Sequence, residues 1–171
     1  MQSPAVFQMM FQLAHEQLEA VMADVTPEVA HYLPAGVVSS IGAQYIHAVT
    51  SEDAIINAIL KQGAPLMATE FAGRIGSAEA PQLFTWGEWG RTVKADVAQA
   101  KAYAQGVYAS TQAYVATLTP EAVGEMIDLT QMGMGMVPRA GLLYQALQQI
   151  LIHTGEISTI KGLQGLKGYP A

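Results

Sequence analysis

One segment near the C-terminal end of the chain carries residues that could bind a metal ion. It reads Gln149-Ile-Leu-Ile-His153-Thr-Gly-Glu156. Residues four apart lie above one another on the same face of an α-helix, so a His-x-x-x-His pair at this spacing can bind one ion. Gln149 occupies the first of those two positions, and Glu156 follows His153 by three residues on the same side of the helix. The segment therefore resembles a metal-binding motif that has lost one histidine.

The side chains at these positions favour a transition-metal ion. Neutral imidazole binds zinc, nickel, copper and iron, whereas the carboxamide oxygen of Gln149 is a poor ligand for these ions and would lower the affinity. Glu156 could complete a set of two histidines and one carboxylate, or it could orient His153 without touching the metal. A metal with open positions could polarise a carbonyl group or lower the pKa of a bound water or thiol.

Four long amphipathic segments predict the helices that would position these residues. Apolar residues recur at helical spacing over residues 4–23, 38–61, 92–118 and 139–163. The uneven connections between them exclude a minimal bundle with tight loops. We therefore expect an all-α protein, a four-helix bundle with additional short helices, in which residues 1–171 form a single domain.

Shorter elements are predicted in the connections between the long helices. Thr26 and Thr119 are each followed by Pro-Glu, which is a helix-start signal, and the second of these short helices is expected to reach about residue 129. Glycine and proline punctuate residues 62–89. Residues 131–138 predict an extended loop or a short hairpin, and the rest of the chain shows no alternation typical of strands.

The composition indicates a protein that associates with a second copy of itself. Of its 171 residues, 51% are hydrophobic and only 13% are charged, about half the share of roughly 25% that is usual in globular proteins. A single domain with so few charges would expose much apolar surface. We therefore expect a homodimer that buries part of that surface.

The charge and the absence of cysteine exclude several classes of function. The net charge is −6, and the eight Lys and Arg residues form no cluster, which argues against nucleic-acid partners and anionic membrane surfaces. Without cysteine there is no disulfide, no thiolate zinc site and no cysteine nucleophile. The first residues lack the basic region of a signal peptide, and no stretch is typical of a membrane span, so we expect a cytoplasmic protein.

Two segments resemble the DinB-like family, also called the YfiT-like metalloenzymes. The segment Ser39-Ser-Ile-Gly-Ala-Gln-Tyr-Ile-His47 is similar to the family's Asn-Ser-Ile-x-x-x-x-x-His segment, which carries its first metal-binding histidine. Residues 142–157 are similar to the family's Leu-x-His-x-x-x-His-x-x-x-His-x-Gly-Gln-Ile segment on the fourth helix. The helix order and the spacing between the two segments also fit the family.

The resemblance implies a bundle of the DinB-like type that holds a divalent ion, such as nickel or zinc, between His47 and a pair of residues on the last helix. The wider superfamily includes enzymes that transfer or use low-molecular-weight thiols, although many members have no known activity, and homodimers are common among them. His47 and His153 match the family pattern, but Gln149 and Gln145 replace histidines and Glu156 replaces the usual Gln. The implied function is therefore a metal-binding protein that acts on an unknown small molecule by thiol transfer or hydrolysis. The alternative is a non-catalytic bundle that has lost the metal and binds a small ligand or serves a dimeric structure.

Several polar and aromatic residues have more than one interpretation from the sequence alone. A polar row on the second long helix could be a solvated face or the lining of an internal cleft; it consists of Ser40, Gln44, His47 and Ser51. The two tryptophans, Trp86 and Trp89, could form a cleft wall or a dimer contact, but core packing beneath the bundle is the favoured interpretation. His15 is expected to lie at a partly exposed position.

Overall fold

The structure is a computed structural model that describes residues 3–81 and 86–169. In chain order its helices are α1 (Pro4–Met22), α2 (Pro27–His31), α3 (Ile41–Asp53), α4 (Trp86–Thr92), α5 (Val97–Ala116), α6 (Pro120–Gly124) and α7 (Arg139–Leu163). A π-helical segment, Ala54–Leu60, continues α3, and single 3₁₀ turns span Leu66–Ala68 and Thr130–Met132. Strands β1 (Met126–Leu129) and β2 (Gly135–Pro138) form an antiparallel hairpin.

The four long helices α1, α3, α5 and α7 bury one continuous hydrophobic core. Both α5 and α7 pack against α1 and α3, so the four helices enclose the core from all sides. Phe11, Tyr45, Tyr103 and Leu143 are fully or almost fully buried in it, one from each long helix. The fold is thus helical apart from the hairpin, which confirms the predicted four-helix bundle with additional short helices.

The predicted helix ends differ from the structure where a capping side chain decides them. For α1 and α7 the predicted ranges agree with the structure to within one residue. In contrast, α3 begins only after Ser40, whose hydroxyl accepts a hydrogen bond from the amide of Ala43, and α5 begins only after Asp96, whose carboxylate caps the amide of Gln99. The apolar residues before these two caps belong to the preceding connections.

The expectation of a strand-free chain outside residues 131–138 is wrong. Residues 126–129 form β1, and the helix after Thr119 ends at Gly124 instead of continuing to residue 129. Of the two alternatives for the glycine-containing segment, the hairpin is the one observed. Gly133 has a φ of 76°, a left-handed conformation that suits glycine and closes the turn between the strands.

A buried carboxylate holds the end of α3 and the loop that follows it. Asp53 accepts hydrogen bonds from the amides of Leu66 and Met67, both at 2.9 Å, and from the side chains of Asn57 and Tyr103, both at 2.7 Å. These four donors compensate for the removal of the carboxylate from water. The interaction joins α3 to α5 and ties the loop at Leu66 and Met67 to the bundle.

Among the helices formed by the described residues, none combines the length and the apolar character needed to cross a bilayer.

Candidate metal centre

Two histidines from different helices meet in the cleft between α3 and α7. His47 lies in the middle of α3 and His153 lies in the second half of α7. Their ring centroids are 5.0 Å apart, and the ring planes cross at 83°. The structure therefore brings together the two histidines of the sequence-predicted set, although they are far apart along the chain.

Glu156 holds the ring of His153. Its Oε2 lies 2.6 Å from Nδ1 of His153, and the histidine is only 4% exposed. When the carboxylate accepts a hydrogen bond from Nδ1–H, the lone pair of the neutral ring lies on Nε2. A carboxylate in this position fixes the orientation and tautomer of a metal-binding histidine. This contact corresponds to the orienting role among the two alternatives for Glu156.

The environment of His47 keeps its ring neutral. Burial, and to a lesser extent the neighbouring His153, lower the pKa of His47 to about 4. Its Nδ1 is buried without a hydrogen-bond partner among the described residues, and so is Oε1 of Gln44, one turn earlier on α3. Gln44 itself is 3% exposed. The polar row of α3 is therefore largely enclosed at Gln44 and His47, and the interpretation of the row as a solvated face is wrong for these two residues.

Trp86, the first residue of α4, forms a wall of the site. Its ring lies parallel to that of His47, with a centroid separation of 4.3 Å and an interplanar angle of 6°. The same ring meets His153 edge-on at 5.8 Å and 78°. The favoured interpretation of Trp86 as packing beneath the bundle is thus wrong, and the cleft wall is the arrangement observed. The only sequence signal for it was the presence of two tryptophans in a chain with few aromatic residues.

Gln149 is the remaining residue of the sequence-predicted set. It is partly buried and lies one turn before His153, on the side of α7 that also carries His153 and Glu156. Within residues 3–81 and 86–169, no group of three or more His, Cys, Asp or Glu side chains is arranged to hold a metal ion. The strong donors at the site are therefore two imidazoles, and the amide of Gln149, one turn before His153, is a candidate for a weaker third.

This donor set fits a divalent transition-metal ion, with two good ligands instead of three. The buried Nδ1 of His47 lacks a partner among the described residues, and Glu156 engages Nδ1 of His153, which leaves Nε2 of that ring for an ion. Neutral imidazoles of this kind bind nickel, copper and zinc. An amide oxygen contributes less to such a set than a third imidazole would.

His15 belongs to a second buried polar cluster, so the expectation of a partly exposed position is wrong. Its Nε2 lies 3.0 and 3.1 Å from the two carboxylate oxygens of Glu52, and its ring stacks on that of Tyr108 at 3.8 Å. Thr111 donates a further hydrogen bond to Glu52. These hydrogen bonds satisfy the buried polar groups internally and tie α1, α3 and α5 together.

Comparison with known proteins assigns the chain to a family with this architecture. A sequence model of the DinB superfamily matches residues 10–157, and the protein belongs to that superfamily. It is also similar to a solved structure titled as a conserved protein from Enterococcus faecalis, with a TM-score of 0.78 and 20% identity, over 94% of this chain and 96% of the other. That likeness shows the shared fold. The comparison with curated proteins finds no match.

Proposed function

We propose that the protein binds a divalent transition-metal ion, such as nickel or zinc, between His47 and His153. The observation that carries the proposal is the 5.0 Å separation of the two imidazole rings across the cleft. Gln149 would supply a weak third donor from the preceding turn of α7. Glu156 would hold His153 in the orientation that keeps Nε2 directed to the ion.

We propose that this centre acts on a small molecule. When bound, the ion would act as a Lewis acid that polarises a carbonyl group or lowers the pKa of a coordinated water or thiol. His47 stays neutral because its pKa is about 4, so it can act as a ligand at neutral pH. Thiol transfer or hydrolysis is proposed as the reaction from the resemblance to the DinB-like family.

Metal analysis of protein purified without a histidine tag tests the proposal. We expect bound nickel or zinc near one equivalent after dialysis against excess metal and removal of the free ion. His153→Ala should abolish this binding. If the unmodified chain retains no metal after such dialysis, the proposal is wrong, and the alternative of a bundle that keeps its cleft without an ion is favoured.

A gain-of-binding variant tests the convergence of the ligands directly. Gln149→His restores a third imidazole at the correct spacing, and exchanging a weak ligand for a good one should tighten nickel binding by roughly a hundredfold, which corresponds to about 2.8 kcal/mol. Gln148→His is the matched control, because this residue lies on another side of α7. An equal effect of both variants would contradict the proposed geometry.

We also propose that the protein forms a homodimer through the exposed face shared by α1 and α7. An apolar groove of about 780 Å³ lies there, between the start of α1, α6 and the start of α7, and Met10 and Tyr144 are among its lining residues. No charged side chain occurs in residues 4–14 of α1 or 140–152 of α7. A second copy could therefore cover this face without removing a charge from water.

Light scattering coupled to gel filtration tests the dimer. Tyr144 is exposed and lines the groove, so Tyr144→Lys should shift the protein from dimer to monomer. Val37→Lys is the control, since Val37 is an exposed apolar residue in the loop before α3. A monomeric unmodified protein, or a Tyr144→Lys variant that stays dimeric, would refute this interface.

A further inference from the structure

Trp86 contacts both histidines of the candidate metal centre. Its ring covers one face of the His47 ring at 4.3 Å and presents an edge contact to His153 at 5.8 Å. The two imidazoles are themselves 5.0 Å apart. These three rings form a closed set of mutual contacts, so a rotation of either imidazole would disturb its contact with the indole.

The helix that carries Trp86 is held in place by contacts that do not involve the indole. The amide of Ser40 donates to the carbonyl of Gly90 at 2.9 Å, and Nη1 of Arg91 donates to the carbonyl of Val38 at 2.7 Å. A Cβ atom on Gly90 would lie 2.3 Å from Oγ of Ser39, so α4 packs directly onto the segment before α3. The backbone of α4 therefore positions the indole before any ligand binds.

We infer that Trp86 is a positioning residue of the metal centre, which locks the His47 ring in the orientation that lets it share one ion with His153. The inference rests on the function proposed above. The indole covers one face of the imidazole, so it restricts rotation of the ring and keeps solvent from that face. An ion or small ligand must approach along the ring edges, between the two histidines. A preorganised ligand binds more tightly because less freedom is lost on binding.

The Gln149→His background provides a parent whose nickel affinity is readily measured. In this background, Trp86→Leu removes the ring but keeps apolar volume, and Trp86→Phe keeps a ring that can stack. We expect Trp86→Leu to weaken nickel binding by about tenfold, the lower end of the effect of losing a group that orients a metal ligand, and Trp86→Phe to restore most of it. Trp89→Leu, on the same helix, is the control and should bind like the parent.

A spectroscopic readout keeps the inference testable if Trp86→Leu folds poorly. Trp86 and Trp89 are the two tryptophans of the chain, so Trp89→Phe leaves Trp86 as the sole emitter and Trp86→Phe leaves Trp89. Copper(II) should quench the emission of the first variant strongly at one equivalent, and that of the second much less. Equal quenching in both variants would overturn the inference.

The outcomes separate this inference from the proposed function. If the parent binds nickel and Trp86→Leu folds and binds equally well, the positioning role is wrong and the metal centre stands. If the parent does not bind nickel at all, the metal centre is wrong, and the positioning role is overturned with it. Weakening by Trp86→Leu with rescue by Trp86→Phe supports both.

Discussion

The contact between Glu156 and His153 leads to a prediction about metal affinity. The carboxylate lies 2.6 Å from Nδ1 of the histidine, whose side chain is 6% exposed, whereas the Glu156 side chain is 44% exposed. Removing the carboxylate with Glu156→Ala frees the imidazole to rotate and to change its tautomer. Both changes lower the fraction of molecules in which Nε2 is available to an ion.

The size of the effect follows from the exposure of the carboxylate. Loss of a group that orients a metal-binding histidine weakens metal binding by roughly 10- to 100-fold. Because nearly half of the Glu156 side chain is exposed, solvent screens its charge and we expect the lower limit of this range, about tenfold or ~1.4 kcal/mol. Glu156→Gln retains an oxygen acceptor without the charge, so its affinity should lie between those of Glu156→Ala and the unmodified chain.

Competition between the protein and a chromophoric chelator for nickel at fixed pH measures these affinities. The variants are best compared in both the unmodified and the Gln149→His backgrounds. Glu121→Ala, which removes an exposed carboxylate of α6, is the control for the change in net charge. The reasoning is refuted if Glu156→Ala binds nickel as tightly as the control. If Glu156→Gln loses as much affinity as Glu156→Ala, and the loss exceeds a hundredfold, Glu156 is a direct ligand instead.

Three further predictions concern stability in chelator-treated protein, measured by urea unfolding. The pKa of His47 falls from 6.5 to about 4 on folding, so the unfolded chain gains a proton first as the pH falls, and the stability present above pH 6.5 is lost toward pH 4. His47→Gln should remove about 2 kcal/mol of this loss, after a discount for partial exposure. An unchanged pH profile would contradict the assignment. Asp53→Ala should destabilise the fold by about 3–5 kcal/mol, because four donors lose their acceptor. Tyr103→Phe removes only one of these donors and should cost about 1 kcal/mol. Similar losses in both variants would argue against a central role for the carboxylate. Gly90→Ala should lower the free energy of unfolding by about 1–3 kcal/mol, because the added methyl group overpacks against the segment before α3. Gly87→Ala, on the same helix with open space around it, should be close to neutral. Equal effects of the two variants would contradict the packing of α4.

Much of the fold could be predicted because the long helices have an unambiguous pattern. Pro4 begins α1 and Pro138 precedes α7, and the apolar residues of both helices recur at regular spacing until a clear stop. The starts of α3 and α5 were predicted too early because apolar residues continue upstream of the capping residues Ser40 and Asp96. Periodicity alone does not distinguish a first helical turn from an apolar connection.

Strand β1, in a stretch for which no strand was expected, and the short α4 were beyond what such patterns can show. Each strand has four residues, which is too short for alternation to be distinguished from chance. Similarly, α4 spans seven residues with two glycines, Gly87 and Gly90, and glycine disfavours helix. Its position depends on the close contact of Gly90 with the segment before α3, a tertiary interaction with no local signature.

The candidate site could be predicted only in part, for a related reason. His47 and His153 were paired through the resemblance to the DinB-like family and not through spacing, since the residues lie on different helices. Trp86 was assigned to core packing because nothing in the sequence connects it to α3. Its contact with His47 depends on the docking of α4 on the segment before α3, which places the indole over that ring.

The hydrogen bonds of the core provide an independent argument for the location of the site. The buried carboxylates of Glu52 and Asp53 have several partners each, as buried polar groups in folded proteins generally do. Among the described residues, the two buried side-chain N or O atoms without a hydrogen-bond partner are Oε1 of Gln44 and Nδ1 of His47. Both lie on the same face of α3, and one belongs to a histidine that faces His153. A bundle that satisfies fully buried carboxylates elsewhere leaves these two polar atoms unpaired on the face of α3 that carries His47, so this face is where a ligand gains most by supplying a missing partner.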